Sequence, residues 1–159
     1  MRTYTAHEIA RYFLAKADAG VGDLISNLKL QKLCYYAQGV GTATRGQPLF
    51  EEPIEAWLHG PVVPQLYHTY SSYGREAIPA PVNFDIENYE LADRLIMDDV
   101  YDYYGQYSAW RLRQMTHDEP PWKNVYDEGC SNLITIDALK EYFSTQIDDD
   151  YRRKYGEQV

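Results

Sequence analysis

The four histidines, His7, His59, His68 and His117, are the first candidates for acid–base or metal chemistry in this chain of 159 residues. None is paired at i,i+4 as H-E-x-x-H requires, and none stands with cysteine at zinc-ligand spacing. His7 falls inside a helix cap. His59 and His68 flank a Gly60-Pro61 break and are candidate spatial neighbours, but ordinary hydrogen-bonded or surface rings account for both. His117 lies between Thr116 and the carboxylates Asp118 and Glu119, next to Trp122. An acid–base role there needs a cleft with a nucleophile or a substrate pocket. The simpler reading has Thr116, His117 and Asp118 fastening backbone groups at a tight helix junction, with Trp122 packed as an anchor. The pairs Asp98-Asp99 and Glu51-Glu52 are adjacent in sequence, so they do not converge on one helix face. Phosphate-loop, dinucleotide and nucleophile-elbow patterns are missing from the sequence. No catalytic, metal or cofactor-binding residue is assigned.

The rest of the composition points away from an enzyme and towards a binding module. One domain is expected, long enough to bury about two-thirds of its unfolded surface. No apolar run reaches the roughly 18 residues of a membrane span, and Arg2, His7, Glu8 and Arg11 interrupt any leader-like apolar core. A cytoplasmic chain is expected, with Cys34 and Cys130 as reduced, buried small hydrophobes. The formal net charge is −9, and the one dense basic run, Arg152-Arg153-Lys154, follows Asp148-Asp149-Asp150. Nucleic-acid affinity comes largely from neutralising phosphates, so direct nucleic-acid binding is disfavoured and a basic protein partner fits better. Tyrosine is common, 16 against 4 phenylalanines, and supplies apolar area with one polar handle. Most of these rings are expected half-buried, with the hydroxyl at the surface.

The elements that would position these groups are mainly helical. Thr5-Ala6-His7-Glu8 reads as a capping box, with Tyr4 and Ile9 as its staple, for a helix to about Ala17. Gly20 and Gly22 are read as the loop after it. Ser26 reads as the N-cap of a central helix in which Leu30, Leu33, Cys34, Ala37 and Gly41 share a face, ending at Gly46. Residues 53–58 suggest one short strand or hairpin, and Gly60-Pro61 a break before a helix carrying Leu66 and Tyr67. Asn88 is read as the cap of a helix to Tyr104 with Ala92, Leu95, Ile96, Val100 and Tyr103 inward. Ser108 caps a short helix. Pro120-Pro121 opens another, running to about Glu128, and Thr135 caps the last. The expectation is a compact, mainly α single domain of about seven helices over residues 1–147, followed by a charged, mobile tail over 148–159.

In combination, three stretches resemble the Panacea domain, also described as the SocA-like antitoxin domain. The first is SNLKLQKLCYYAQG (residues 26–39), which holds Asn27, Lys29, Gln31, Lys32, Tyr35, Tyr36 and Gln38. Cys34 stands there where the family more often has an aliphatic residue. The second carries Gly46, Pro48, Leu49, Phe50, Ala56, Trp57, Gly60, Pro61, Val62, Val63, Pro64 and Tyr67. The third carries Leu112, Thr116, His117, Pro121 and Trp122. The resemblance covers roughly residues 5–147 and implies an antitoxin, not an enzyme, that binds a cognate protein toxin encoded by an adjacent gene. One relative acts instead as an adaptor that hands its toxin to the ClpXP protease. Family members also occur on prophages and mobile elements. Some relatives carry an extra DNA-binding domain, for which this chain is expected to have no room; no cofactor and no membrane association are expected. Many motif positions look like core, so the motif residues are expected to bear the fold first and to meet a partner second.

Overall fold

The computed structural model describes residues 1–19 and 24–155. Eight α-helices and one small sheet make up this part of the chain. The helices are α1 (Ala6–Ala19), α2 (Asn27–Arg45), α3 (Pro64–Thr69), α4 (Leu91–Tyr104), α5 (Ala109–His117), α6 (Pro120–Lys123), α7 (Ile136–Phe143) and α8 (Asp149–Tyr155). The strands β1 (Ile54–Trp57), β2 (Gly60–Val62) and β3 (Asn132–Ile134) form an antiparallel sheet in the order β2-β1-β3. The protein is mainly α.

Helix α2 is the axis. It touches α1, α3, α4, α5, α7, α8 and β2, and every residue of it except Leu28 and Lys29 is buried. The reading that gave it one apolar face therefore understated its burial. It starts where Ser26 Oγ accepts from Lys29 N and ends at Gly46, whose φ of 79° is the left-handed conformation glycine adopts without strain. Its small residues admit neighbours. A side chain at Gly39 would run into the ring of Phe143, and one at Gly41 would meet Leu49 Cδ1 at 2.6 Å.

The caps form as their sequences dictate. Glu8 N donates to Thr5 Oγ1 (3.1 Å) while Thr5 N donates to Glu8 Oε1 (3.0 Å), closing the capping box of α1. Ser108 and Thr135 accept from Arg111 N and Ala138 N to start α5 and α7. Pro120 and Pro121 occupy the first turn of α6, where no N–H is needed.

Several expectations need correction. There are eight helices among the described residues rather than seven, and β3 went unread because three residues carry no period. Gly60-Pro61 does not break the chain before a helix but forms β2, paired Trp57 to Gly60 and Ala56 to Pro61. Proline is tolerated there because β2 is an edge strand. Helix α4 begins at Leu91, not after Asn88, which lies in a 3-10 turn over Ile86–Asn88. Its buried face is Asp93, Ile96, Met97 and Val100, while Leu95 and Tyr103 are exposed. The burial of Asp93 turns the helix: its carboxylate accepts from Tyr4 Oη (2.7 Å) and lies 3.7 Å from the buried Arg45. Helix α6 stops at Lys123, not near Glu128, because Asn132 Nδ2 takes the Val125 carbonyl (2.8 Å) and draws the chain back towards β3.

Cys34 is buried but Cys130 is exposed. Residues 149–155, read as a mobile tail, form α8, whose Arg152 Nε donates to Ala43 O (3.4 Å). The loop read at Gly20 and Gly22 lies outside the described residues. No helix among those described is long and apolar enough to cross a membrane.

The approach of Phe143 to Gly39 is testable. Phe143 is fully buried and wedged edge-on between Tyr35 and Tyr36 (5.6 and 6.0 Å between centroids), so it has nowhere to retreat. Gly39→Ala should lower stability by ~1–3 kcal/mol in urea unfolding. Combined with Phe143→Leu, its cost should be smaller than the sum of the two single changes; strict additivity would exclude the steric account.

Candidate functional site

Buried polar side chains on a helix call for partners. Asn27, Gln31, Lys32, Tyr35, Tyr36 and Gln38 of α2 find them in the segments around it, whereas Thr42 Oγ1, Thr44 Oγ1 and the Nε and Nη1 of Arg45 have no hydrogen-bond partner. Gln38 clamps the turn before β1: Nε2 donates to Phe50 O (2.6 Å), and Oε1 accepts from Leu49 N (2.9 Å) and Phe50 N (3.3 Å). Two turns earlier, Gln31 Oε1 accepts from Val63 N (2.9 Å) and Nε2 donates to Asn27 Oδ1 (2.9 Å). Asn27 in turn donates through Nδ2 to Tyr67 O (3.1 Å). Lys29 Nζ donates to Gly105 O (2.7 Å), tying the end of α4 to the same helix.

Lys32 is fully buried, and its Nζ donates to Pro61 O at 3.0 Å. The tight space around it explains Gly60, whose φ is 108° and where a side chain would meet Lys32 Cε at 2.6 Å and Thr116 Oγ1 at 2.8 Å. Burial, and secondarily the Arg113 guanidinium, pushes the Lys32 ammonium down to about 7.

Tyr35 and Tyr36 both reach Glu119. Tyr35 Oη donates to Oε1 (2.9 Å) and Tyr36 Oη to Oε2 (2.8 Å). Tyr36 is sandwiched further by Tyr104, stacked at 3.6 Å and 9°. Burial pushes the Glu119 carboxyl up from 4.5 to about 7, against the lowering effect of the two tyrosine hydrogen bonds. Burial likewise raises both tyrosines far above the ordinary range.

Around the hairpin the aromatic groups assemble. Trp122 Nε1 donates to Trp57 O (2.8 Å), which is the link between the second and third motifs. His117 stacks flat on Trp122 (3.9 Å, 4°), and Trp122 on Tyr126 (4.4 Å, 15°). Burial, then Arg113, lowers the His117 imidazole, and its Nε2 is buried without a hydrogen-bond partner. Trp57 packs against Tyr67 and His68, while its own Nε1 donates to Glu55 Oε1 (2.9 Å). Pro64 fills the first turn of α3 and Pro121 is buried in α6.

The structure thus gathers Lys32, Gly60, Pro61 and Thr116 at one point and Asn27, Gln31 and Tyr67 at a second, and it sets Trp122, stacked with His117, against the hairpin at Trp57, with Pro121 buried next to Trp122 in α6. It does not join His59 to His68. His59 Nδ1 accepts from Arg113 Nε (2.9 Å) and its ring leans on Trp110, whereas His68 sits on Trp57 and Tyr67. Among the described residues no three of His, Cys, Asp or Glu converge as a metal site would require. Glu119 was the partner that sequence reasoning missed: the sequence marks it only as a carboxylate near His117, whereas Tyr35 and Tyr36 both donate to it in the interior.

Comparison with known proteins follows the same segments. Residues 30–123 match the family model described as antitoxin SocA-like, Panacea domain. The chain is also 42% identical over 73 residues to Antitoxin SocA of Caulobacter vibrioides (strain NA1000 / CB15N). That stretch covers 46% of this chain and 38% of the relative. No solved structure matches.

The raised Glu119 carboxyl predicts a pH dependence. Below 4.5 the group is protonated folded or unfolded, and its contribution to stability is fully present. Between 4.5 and about 7 the unfolded chain gives up a proton that the folded chain keeps, so stability is lost as pH rises through that window. Glu119→Gln preserves the shape and both hydroxyl contacts without the titration. The stability difference between variant and wild type should shift in favour of the variant as pH rises from about 5 to about 8. A difference that stays constant with pH would show that Glu119 does not titrate in this way.

Proposed function

The chain belongs to the antitoxin SocA-like Panacea family, and from that premise we propose that it is an antitoxin that neutralises a cognate protein toxin, encoded by an adjacent gene, through direct binding in the cytoplasm. The observation that carries this reading is the match over residues 30–123, which spans the buried α2 network, the hairpin and the Trp57–Trp122 link.

Family membership suggests a non-enzymatic role, and the candidate acid–base residues suit that role. His117 faces the Trp122 ring and Glu119 is engaged by two tyrosines. The mechanism is occlusion: a rigid, preformed face covers a functional surface of the toxin, and little ordering cost is left for the moment of binding. The net charge of −9 steers encounter with a basic toxin. Delivery to a protease such as ClpXP is the alternative reading. It needs a tether, for which the charged 148–159 tail is the candidate, and residues 149–155 of that tail are packed as α8.

Expression of the adjacent gene from an inducible promoter should arrest growth. Co-expression of this protein should restore growth, and the two should co-purify. Association should slow steeply with added salt if charge steers it. A chain lacking residues 148–159 that stays folded and still rescues supports occlusion, whereas rescue without a stable complex supports delivery. A harmless neighbour removes the antitoxin reading.

A further inference from the structure

The buried motif residues do not themselves offer a surface, but they hold one up. The β1–β2 turn is braced from below by three side chains: Lys32 on Pro61 O, Trp122 on Trp57 O and Gln31 on Val63 N. Leu58 stands at its tip, 59% exposed, and the next residue, His59, leans on Trp110 of α5 (6.4 Å between ring centroids), which is 54% exposed. Leu58 and Trp110 both project from fixed elements, a braced turn and a regular helix.

Arg113 joins Trp110 to His59. Its guanidinium sits over the Trp110 ring at 4.4 Å and its Nε donates to His59 Nδ1 at 2.9 Å. Both contacts orient the group and neither neutralises it. Most arginines that the fold orients here are matched differently. Arg2, Arg45, Arg94, Arg152 and Arg153 each face a carboxylate. No carboxylate of the described residues pairs with Arg113, although acidic residues outnumber basic ones 24 to 15. Its two terminal nitrogens remain as an open, planar fork, the geometry that receives a carboxylate through two parallel hydrogen bonds. Because His59 Nδ1 accepts from Arg113, the neutral ring carries its proton on the exposed Nε2, a further donor on the same side. The low proton affinity of this ring, lowered by burial and by Arg113, keeps it in that neutral form.

We infer that the turn and α5 form the toxin-docking surface, with Leu58 and Trp110 gripping an apolar side chain and Arg113 and His59 receiving a neighbouring Asp or Glu of the toxin. This rests on the antitoxin reading and adds where the contact lies and what chemistry it recognises. The local charge is opposite to that of the molecule as a whole. The acidic remainder draws the partner in, and this small basic and aromatic spot fixes the register. Tryptophan and arginine are the residue types that most often carry interface affinity, and here both are oriented before the partner arrives.

The test uses the purified product of the adjacent gene. Trp110→Ala and Arg113→Gln should each weaken binding by about tenfold or more and impair growth rescue, with circular dichroism and thermal midpoint unchanged. Arg113→Lys should recover part of the loss, since it keeps charge but not the fork. Val82→Ser and Leu91→Ser, exposed apolar positions elsewhere, should bind as wild type does. If the wild-type protein binds and rescues while Trp110→Ala and Arg113→Gln match it within twofold, the surface lies elsewhere and the antitoxin reading stands. If the wild-type protein neither binds nor rescues, both readings fall. Retardation of a mixed single-stranded oligonucleotide that Arg113→Gln abolishes, with toxin binding untouched, would assign the spot to nucleic acid and overturn the proposal.

Discussion

Burying a helix on every side makes demands that an amphipathic helix escapes. Apolar residues go in without difficulty, but α2 also takes Asn27, Gln31, Lys32, Tyr35, Tyr36, Gln38 and Arg45 out of water. An unpartnered polar group in such a place costs on the order of 1–3 kcal/mol, and several together would exceed the net stability of a small domain. The surrounding segments are therefore placed by what these side chains need. The stretch at Leu49 and Phe50 answers Gln38, β2 answers Lys32, the start of α3 answers Gln31 and Asn27, and Glu119 answers the tyrosines. A network of this kind tolerates little rearrangement, because moving one segment strands a partner in the middle of the protein.

The same logic explains a rigid hairpin with an exposed tip. Turn residues in most proteins ride on loops that explore many conformations. Here the carbonyls of Trp57 and Pro61, on either side of the turn, are each held by a side chain from the interior. The helix that borders the turn is anchored by Leu112 and Thr116, both fully buried, so Trp110 and Arg113 have a fixed base. Rigidity on the surface thus derives from polar satisfaction in the core. The family resemblance and the proposed docking chemistry occupy different layers of one construction.

Much of this was legible in the residues. Caps at Thr5, Ser26, Ser108 and Thr135 announce themselves because the signal is local: one oxygen serves one N–H within the same turn. The extent of α2 was readable from Ser26 and Gly46 for the same reason. Long-range matters were not. Asp93 reads as a solvated helix residue until Tyr4 and Arg45 are seen around it, and those partners lie far away in the chain. Strand β3 is defined by its pairing with β1, not by any pattern of its own. The separation of His59 from His68 depends on how the hairpin twists, which their spacing does not encode. Motif residues could be recognised individually, but Glu119 could not be assigned to Tyr35 and Tyr36 without the fold.

The wedge of Phe143 against Gly39 has a consequence for how this chain comes into being. A ribosome delivers residue 39 long before residue 143, at roughly 5–20 residues per second. Until α7 emerges, the middle of α2 lacks the ring that packs beside Tyr35 and Tyr36. Glu119, too, appears only after most of the chain. The nascent protein therefore passes several seconds with a polar-studded helix it cannot yet enclose. During that time it is open to proteases and holding chaperones. A fresh molecule becomes durable only once its last third has been made, so the supply of finished protein lags its own translation.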